Sequence, residues 1–324
     1  GGGVIGFNVG GECRINNGGS IKADGGSLGG AGGSIYMKCS NGFSGDGGSS
    51  SISANGGNAY LDNSSGSYKY FRNKTSGGGG GRIALISDGG AETFKGSYSF
   101  PSSKNIYNDF KNNVTSFGGN GDINGSIQVG DGGAGTIYLK HNNSVNGTLI
   151  IRNNKESFDS NKDGKSLFVS THANNSEVAT IIDDHSLRVS GNEQENLFGH
   201  QVNRYAGSSI YLYETSSSAN PKLGIPFNII GNDKNIFSFD DDNSLPTLSN
   251  DHSYQFIYAF DNFLVDGRSQ VELKNTDLKL ENCSVELNNG SFVEEGASLT
   301  VKSLVKGSCN EATFGGNINY DVLY

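Results

Sequence analysis

The sequence has few of the residues that usually fill a protein core. Its 324 residues include no tryptophan, one methionine and four prolines, and only 34% of them are hydrophobic. Such a chain cannot fill a thick layered core, but it can fill a thin core that recurs along its length. Glycine is abundant instead, with 50 residues, and glycine permits tight turns and close backbone approach. The composition therefore predicts many short elements.

Long apolar runs and basic clusters are absent as well. No stretch approaches the roughly 18 apolar residues of a membrane-spanning helix, and no signal peptide is recognisable. The formal net charge is −9, whereas proteins that bind nucleic acids concentrate Lys and Arg. We therefore expect neither a membrane span nor a nucleic-acid partner. The sequence starts with Gly1 and not with Met, so we expect a processed product or a piece of a longer protein.

Residues 271–301 carry an apolar residue at every seventh position. These residues are Val271, Leu278, Val285, Phe292 and Leu299. Within each heptad the apolar residues alternate, as in Val271 and Leu273, which is the period of a strand and not of a helix. Asn, Asp, Ser and Gly lie between the apolar triplets and favour turns. We therefore predict three-residue strands separated by turns. Because three heptads would complete one coil, Val271 should lie beside Phe292 and Leu278 beside Leu299.

The glycine-rich part, residues 1–140, repeats itself at a longer distance. The segment "GSIKADGG" near residue 20 recurs as "SSISANGG" near residue 51, and "GGAGGSIYMK" near residue 30 recurs as "DGGAGTIYLK" near residue 131. Each segment contains a short strand led by a β-branched residue and bounded by Gly, Asn or Asp, which is typical of strands between tight turns.

Together these patterns predict an all-β chain that forms a single-stranded parallel β-helix, or β-solenoid, with irregular insertions. Coils of roughly 20 to 25 residues and a right-handed crossover are expected. The predicted parts are glycine-rich coils at 1–140, Asn/Asp/Ser-rich coils with insertions at 141–260, regular seven-residue coils at 261–305, and a cap or junction at 306–324.

The same segments, with "SGGGGGRIALIS" and "LKLENCSVELNNGSFVEEGASLTV", resemble the glycine-rich, adhesin-like parallel β-helix proteins of microbial and protist cell surfaces. The resemblance covers most of the chain, and its motifs are compositional. It implies a secreted or surface-displayed β-helix, often one segment of a larger protein. The stretch at 215–260 is irregular and departs from the pattern, and so do the four cysteines.

Two features of the sequence point to an oxidising, extracellular location. Cys13 and Cys39 are separated by 26 residues, and so are Cys283 and Cys309. Four cysteines allow three pairings, and we expect a disulfide within each pair because 26 residues is about one coil plus a small offset. Nine Asn-x-Ser/Thr sequons also indicate a glycoprotein. They begin at Asn63, Asn73, Asn113, Asn124, Asn142, Asn146, Asn174, Asn282 and Asn289.

Motifs that could carry catalysis are weak. "GGGVIG" and "GGSLG" match glycine-containing site patterns, but a chain so rich in glycine produces such matches freely. Asp183 and Asp184 with His200 resemble polygalacturonase motifs. They are the catalytic candidates of the alternative interpretation, in which the chain is a β-helix carbohydrate-active enzyme of the polygalacturonase or lyase type. The Asn-Thr-Asp element of that family should precede the Asp pair, but here it lies at 275–277.

The one cofactor that the sequence suggests is calcium. Asp159, Asn161 and Asp163 alternate as in the first half of a calcium loop, although Ser170 stands where a bidentate Glu belongs. The Asp run at 240–242 is a second candidate, and the five His residues share no zinc-ligand spacing.

The preferred interpretation is therefore an extracellular structural or adhesive segment, such as a stalk, a filament subunit or a surface-binding rod, and not an enzyme. Its expected partners are other copies of itself or a larger surface assembly, and glycans.

Overall fold

The computed structural model describes the chain in segments. The described residues are 1–45, 50–59, 76–89, 94–96, 110, 113–121, 123–124, 127–128, 130–141, 147–154, 164, 166–169, 178–190, 209–214, 227–233, 236–239, 252–260, 262–267, 269–280, 298–306 and 317–323. Within them the protein is all-β, with almost no helix, as the sequence predicts.

The described part of the chain contains twenty-four strands. The first twelve are β1 (Val4–Val9), β2 (Cys13–Ile15), β3 (Ser20–Lys22), β4 (Ser34–Cys39), β5 (Phe43–Gly45), β6 (Ser51–Ser53), β7 (Arg82–Ser87), β8 (Phe94–Gly96), β9 (Val114–Thr115), β10 (Ile123–Asn124), β11 (Ile127–Gln128) and β12 (Thr136–His141). The others are β13 (Thr148–Arg152), β14 (Ser166–Val169), β15 (Val178–Asp183), β16 (Ser186–Ser190), β17 (Ser209–Glu214), β18 (Phe227–Asp233), β19 (Ile236–Phe239), β20 (His252–Phe260), β21 (Asn262–Asp266), β22 (Gln270–Leu280), β23 (Ser298–Lys306) and β24 (Asn317–Leu323).

The chain visits three parallel sheets in a fixed order. The parallel part of sheet A contains β1, β4, β7 and β12, sheet B contains β2, β5 and β8, and sheet C contains β3, β6 and β9. Sheet A continues beyond β12 with β13 and β21. Each round through sheets A, B and C is called a pass, so β1 to β3 form the first pass and β4 to β6 the second. Neighbouring passes pair in parallel without a register shift. Every inward side chain therefore lies beside its counterpart in the next pass.

The interior consists of ladders of like residues. In sheet A the buried ladders are Ile35, Ile83 and Ile137, and Met37, Leu85 and Leu139. In sheet B the ring of Phe43 stacks on that of Phe94, with ring centroids 5.4 Å apart. In sheet C the buried residues Ile52 and Val114 are paired neighbours. One thin core thus runs through all the passes, which is how a chain with few apolar residues can fold.

The passes are longer than predicted. Val4 pairs with Ser34, Ser34 with Arg82, and Arg82 with Thr136, so successive passes advance by 30, 48 and 54 residues. The expectation of roughly 20 to 25 residues per coil was wrong mainly because the connection from sheet C back to sheet A is long, with 11 residues between β3 and β4 and 28 between β6 and β7.

The region at 141–260 is not the set of parallel coils that the sequence predicts. β12 pairs with β13 antiparallel, and β13 then pairs in parallel with β21, which follows it by more than 100 residues in the chain. Between them, β15 to β20 pair antiparallel and close on themselves in the order β15, β16, β19, β18, β17, β20 and back to β15.

The inside of this closed ring has its own apolar cluster. The cluster consists of Leu187, Ile210, Leu212, Phe227, Ile229, Phe237 and Phe239. Because it does not share residues with the core of the passes, the ring is an inserted unit with a separate core.

The predicted heptads at 261–305 also differ from the structure. β22 continues as one strand through the expected turn at 274–277, and it pairs in parallel with β23. Val271 lies beside Leu299, and Leu278 beside Leu304, after a register shift. The predicted partner of Leu278, Leu299, was therefore wrong, and Val285 and Phe292 lie outside the described residues. Val271 is buried as expected, and the predicted cap at 306–324 contains β24, the last strand of this sheet.

Candidate functional site

The connections between sheet C and sheet A are two sets of glycine-rich segments. The outgoing segments, residues 23–26, 54–57 and 116–119, leave sheet C, and the return segments, residues 30–33, 78–81 and 132–135, lead into sheet A. We call these six segments the glycine block. The return segments, "GAGG", "GGGG" and "GGAG", contain only glycine and alanine, and the outgoing segments, "ADGG", "ANGG" and "SFGG", each end in two glycines.

Backbone hydrogen bonds join the two sets of segments into one block. The N–H of Gly57 donates to the C=O of Gly30 at 2.7 Å, Gly78 to Gly57 at 3.0 Å, Gly119 to Gly78 at 2.8 Å, and Gly132 to Gly119 at 2.8 Å. Outgoing and return segments therefore alternate along one continuous line of peptide groups.

Burial within the block repeats every three residues. In the return segment that leads into β7, Gly78 and Gly81 are buried, whereas Gly79 and the preceding Ser76 are exposed. A period of three is that of the polyproline II helix, which has no internal hydrogen bonds and leaves its peptide groups free to bond to neighbouring chains. The glycine runs are thus ordered packing elements and not flexible linkers.

Gly78 shows why this packing requires glycine. A methyl group there would overlap the carbonyl group of Gly30 and lie 2.7 Å from the carbonyl oxygen of Gly29. Its φ lies outside the left-handed region, so the requirement is one of space. The glycine block was missed at the level of sequence. The signal that could have found it is the alternation of a segment that ends in two glycines after a strand, twice as "A-Asx-G-G", with "G-G-x-G" before the next strand.

Asx side chains extend the hydrogen bonding at the edge of the block. Asp24 accepts from the Asn55 N–H at 2.7 Å and from the Ser53 hydroxyl at 2.9 Å. Asn55 in turn accepts from the Phe117 N–H at 2.7 Å through Oδ1 and donates to Thr115 at 3.0 Å through Nδ2. Each pass thereby satisfies backbone donors of the next one, as Asx side chains do in turns.

This arrangement predicts the effect of Asn55→Ala. The Phe117 N–H would lose its acceptor in a half-buried position, so we expect a loss of about 2 kcal/mol in the free energy of unfolding. Urea denaturation of the two proteins measures it. Asn8, exposed on β1, provides the control, because Asn8→Ala should change stability by less than about 0.5 kcal/mol. Equal effects of the two substitutions would contradict the role of Asn55.

The outward face of sheet A carries aligned rows of side chains. Since Ile83 and Leu85 point into the core, Arg82, Ala84 and Ile86 point outward. The three rows across β4, β7 and β12 are Ser34–Arg82–Thr136, Tyr36–Ala84–Tyr138 and Lys38–Ile86–Lys140. We call this set the sheet A face.

Two contacts order the sheet A face. The ammonium of Lys38 lies 2.9 Å from a carboxylate oxygen of Asp88, and this hydrogen bond, with the charge of Asp88, raises the pKa of Lys38. The ring of Tyr138 packs edge-on against Phe260, with centroids 6.4 Å apart. Tyr36, in contrast, is 45% exposed, so one aromatic ring of the face is open to solvent.

The cysteines of the first two passes lie together. Cys13 begins β2 and Cys39 ends β4, and the pair is at disulfide distance, with Cα atoms 5.8 Å apart. This bond links sheet B of one pass to sheet A of the next, as the 26-residue spacing predicts. Cys283 and Cys309 lie outside the described residues.

The catalytic candidates are only partly described. Asp183 ends β15 and Asp184 lies in the turn to β16, and both are exposed. Asp183 accepts a hydrogen bond from the His185 N–H at 2.9 Å, so its carboxylate closes a hairpin turn between antiparallel strands. His200 lies outside the described residues.

Asp183 has a testable pH dependence. Hydrogen bonds from Ser186 and from the His185 N–H hold the pKa of its carboxyl group below its ordinary value. The charged form therefore stabilises the turn above the pKa of an unfolded aspartate, and this contribution disappears as the pH falls through the lower folded pKa. We expect the NMR signal of the His185 amide to titrate at that lower midpoint. Asp183→Asn should remove the titration, and a midpoint at or above the ordinary value would contradict the assignment.

Most of the other candidates lie outside the described residues. The calcium candidates Asp159, Asn161 and Asp163 do, and so do Asp240, Asp241 and Asp242. Among the residues that the structure describes, no cluster of three or more His, Cys, Asp or Glu could hold a metal ion.

Two of the nine sequons lie within the described segments. Asn124 lies in β10. Asn113 is 4% exposed, so its side chain is not available to a glycan once this part of the chain has folded. The remaining sequon residues, Asn63, Asn73, Asn142, Asn146, Asn174, Asn282 and Asn289, lie outside the described residues.

A buried cation lies where the passes meet the rest of the chain. Arg152, at the end of β13, is 1% exposed, donates to the carbonyl oxygen of Val114 at 2.9 Å and lies over the ring of Phe117. Its neighbour in register on β21 is the buried Asp266. Opposite charges thus lie on adjacent strands at this boundary, where burial would otherwise be costly.

Comparisons with known proteins give no relatives. No family model, no curated protein and no solved structure matches this chain. In the described part of the chain, no helix is both long enough and apolar enough to span a membrane.

Proposed function

We propose that residues 1–141 form a three-sided parallel β-helix and that the chain is an extracellular structural or adhesive rod. The observation that carries the proposal is the repeated visit to sheets A, B and C with neighbouring passes in register. A stack of this kind grows by adding passes, each of which contacts only its neighbours, and it presents long rows of outward side chains on a stiff backbone.

The glycine block supports a mechanical role. Its peptide groups bond along the stack and between outgoing and return segments. The connection between sheet C and sheet A is therefore held mainly by backbone hydrogen bonds at very close spacing, whereas the three sheets also rely on side-chain ladders. Such a block resists the bending that a stalk or filament subunit experiences.

The extracellular location has separate support. Cys13 and Cys39 are at disulfide distance, and stable disulfides belong to oxidising compartments. The resemblance to adhesin-like surface proteins points to the same location, and self-assembly or contact with glycans follows from it as the proposed activity.

The inserted ring fits the same role. It interrupts the path between β13 and β21, which remain neighbours in sheet A. Segments inserted between strands that still pair with each other often carry binding residues, because the paired strands hold them on a rigid scaffold. We propose that the ring is a module carried by the stack.

Small-angle X-ray scattering of the purified monomer tests the rod. A compact domain of 324 residues would have a radius of gyration of about 20 Å. We expect a larger value and an asymmetric pair-distance distribution, because the stack of passes and the inserted ring have separate cores, with light scattering used to confirm the monomer mass. A symmetric distribution with a radius near the compact value would overturn the proposed rod.

A further inference from the structure

The sheet A face has the shape of a shallow recognition site. Ala84 lies between Tyr36 and Tyr138 in the central row, so a small floor separates two aromatic rings. The two tyrosines are two strand spacings apart, about 9.6 Å, which is close to the length of a disaccharide. A sugar ring can therefore lie over Ala84 with a tyrosine on either side.

The charges around this floor are positive. Arg82 lies in the row on one side of Ala84, and Lys38 and Lys140 lie in the row on the other side. Asp88 pairs with Lys38, which leaves the face with a net positive charge on a chain whose net charge is −9. The face is thus complementary to an anion, while the chain as a whole repels one.

We propose that the sheet A face binds an acidic glycan. One sugar ring lies over Ala84, and carboxylates of this and neighbouring sugars of the glycan lie on Arg82, Lys38 and Lys140. This inference rests on the adhesive role proposed above and names its ligand class. The apolar C–H face of the sugar packs on the exposed ring of Tyr36, and the guanidinium of Arg82 holds a carboxylate with two parallel hydrogen bonds. Lys38 exchanges its bond to Asp88 for one to the ligand.

A uronic acid oligomer fits this face better than a nucleic acid. Three cations spread over three strands cannot neutralise a run of phosphates, and the acidic chain around them opposes a long polyanion. A short acidic sugar needs only the local charge, and tyrosine supplies the flat apolar surface that a sugar ring requires.

Calorimetric titration with a uronic acid hexasaccharide tests the proposal, and the neutral hexose hexasaccharide of the same linkage is the matched ligand. We expect binding of the acidic oligomer and at least about tenfold weaker binding of the neutral one. Ala84→Phe, which fills the floor from the solvent side, and Tyr36→Ala should each weaken binding by about tenfold or more. Circular dichroism and thermal unfolding confirm that the variants are folded.

The controls separate a defined site from general charge attraction. Arg82→Gln should weaken binding about tenfold. Arg14→Gln should leave binding unchanged, because Arg14 lies on sheet B, where it is exposed and forms an ion pair with Glu12. Equal losses in both variants, equal binding of the two hexasaccharides, tighter binding of single-stranded nucleic acid, or no binding would each overturn the proposal. If the chain scatters as a rod but does not bind the acidic hexasaccharide, only this inference is overturned. If the chain is compact but binds it, only the proposed rod is overturned.

Discussion

Replacing Gly78 with alanine is expected to lower the free energy of unfolding of the stacked passes by at least about 3 kcal/mol. The added methyl group would overlap the Gly30 carbonyl group, and the backbone on both sides is fixed by hydrogen bonds to Gly57 and Gly119. Neither side can move without breaking the line of peptide groups. Urea denaturation followed by circular dichroism measures the loss, and failure of the variant to fold is the extreme form of the same result.

The adjacent glycine provides the matched control. A methyl group on Gly79 meets no atom within 4 Å, and Gly79 is exposed. Gly79→Ala should therefore change stability by less than about 1 kcal/mol, and the expected sign is stabilising because alanine restricts the unfolded chain. Equal destabilisation by the two substitutions would show that the glycine runs are not packed as described.

Loss of the bond between Cys13 and Cys39 is expected to cost about 3 kcal/mol, because the bond closes a loop of 26 residues in the unfolded chain. The double variant Cys13→Ala with Cys39→Ala should therefore unfold at lower urea concentration than the oxidised parent. Reductant should lower the stability of the oxidised parent more than that of the double variant, because only the parent has this bond to lose. The first pass, which this bond links to the second, is where we expect hydrogen exchange to accelerate first.

Peptide mapping without reductant checks the pairing itself. We expect one linked peptide that joins Cys13 to Cys39, and the sequence predicts a second that joins Cys283 to Cys309. A peptide that joins Cys13 to Cys309 would contradict the linkage between passes, and four free thiols would contradict both this linkage and the extracellular location.

The parts of the fold that the sequence predicts are those encoded by local repetition. "GSIKADGG" and "SSISANGG" become β3 and β6, which are paired neighbours, and Ile21 lies beside Ile52. "GGAGGSIYMK" and "DGGAGTIYLK" lead into β4 and β12, which occupy the same sheet with β7 between them. Alternation of Ile35 and Met37 identifies the inward face directly, because the side-chain period of a strand is two.

The pairing partners of a strand are not encoded in this way. The apolar alternation of β15 and β16 is the same whether they pair in parallel or antiparallel, so the closed ring could not be distinguished from coils of a β-helix. At 274–277 the residues favour a turn, and the register between β22 and β23 shifts at this stretch. β22 still continues as one strand, because it pairs with β14 and β23 before the stretch and with β20 and β23 after it.

The candidate site was predicted only in part. The spacing of Cys13 and Cys39 was informative because a constraint across passes appears as a separation close to one pass. Tyr36, Ala84 and Tyr138 are separated by 48 and 54 residues along the chain, and nothing in their local sequence marks them as neighbours. Such a set becomes visible only when the lengths of the passes are known.

Disulfide trapping of outward residues in sheet A tests the stacked passes most directly. The structure pairs Ser34 with Arg82, and Arg82 with Thr136. Adjacent strands place Cα atoms within the roughly 7 Å limit for a disulfide. Each pair should therefore cross-link rapidly when both of its members are replaced by cysteine. Ser34 and Thr136 lie two strands apart, at about 9.6 Å, and the corresponding double variant should not cross-link within the monomer. The account predicts this pattern of two positive pairs and one negative pair, read by mass spectrometry of the oxidised peptides. Cross-linking of the Ser34 and Thr136 positions without the other two pairs would contradict the parallel, in-register stack.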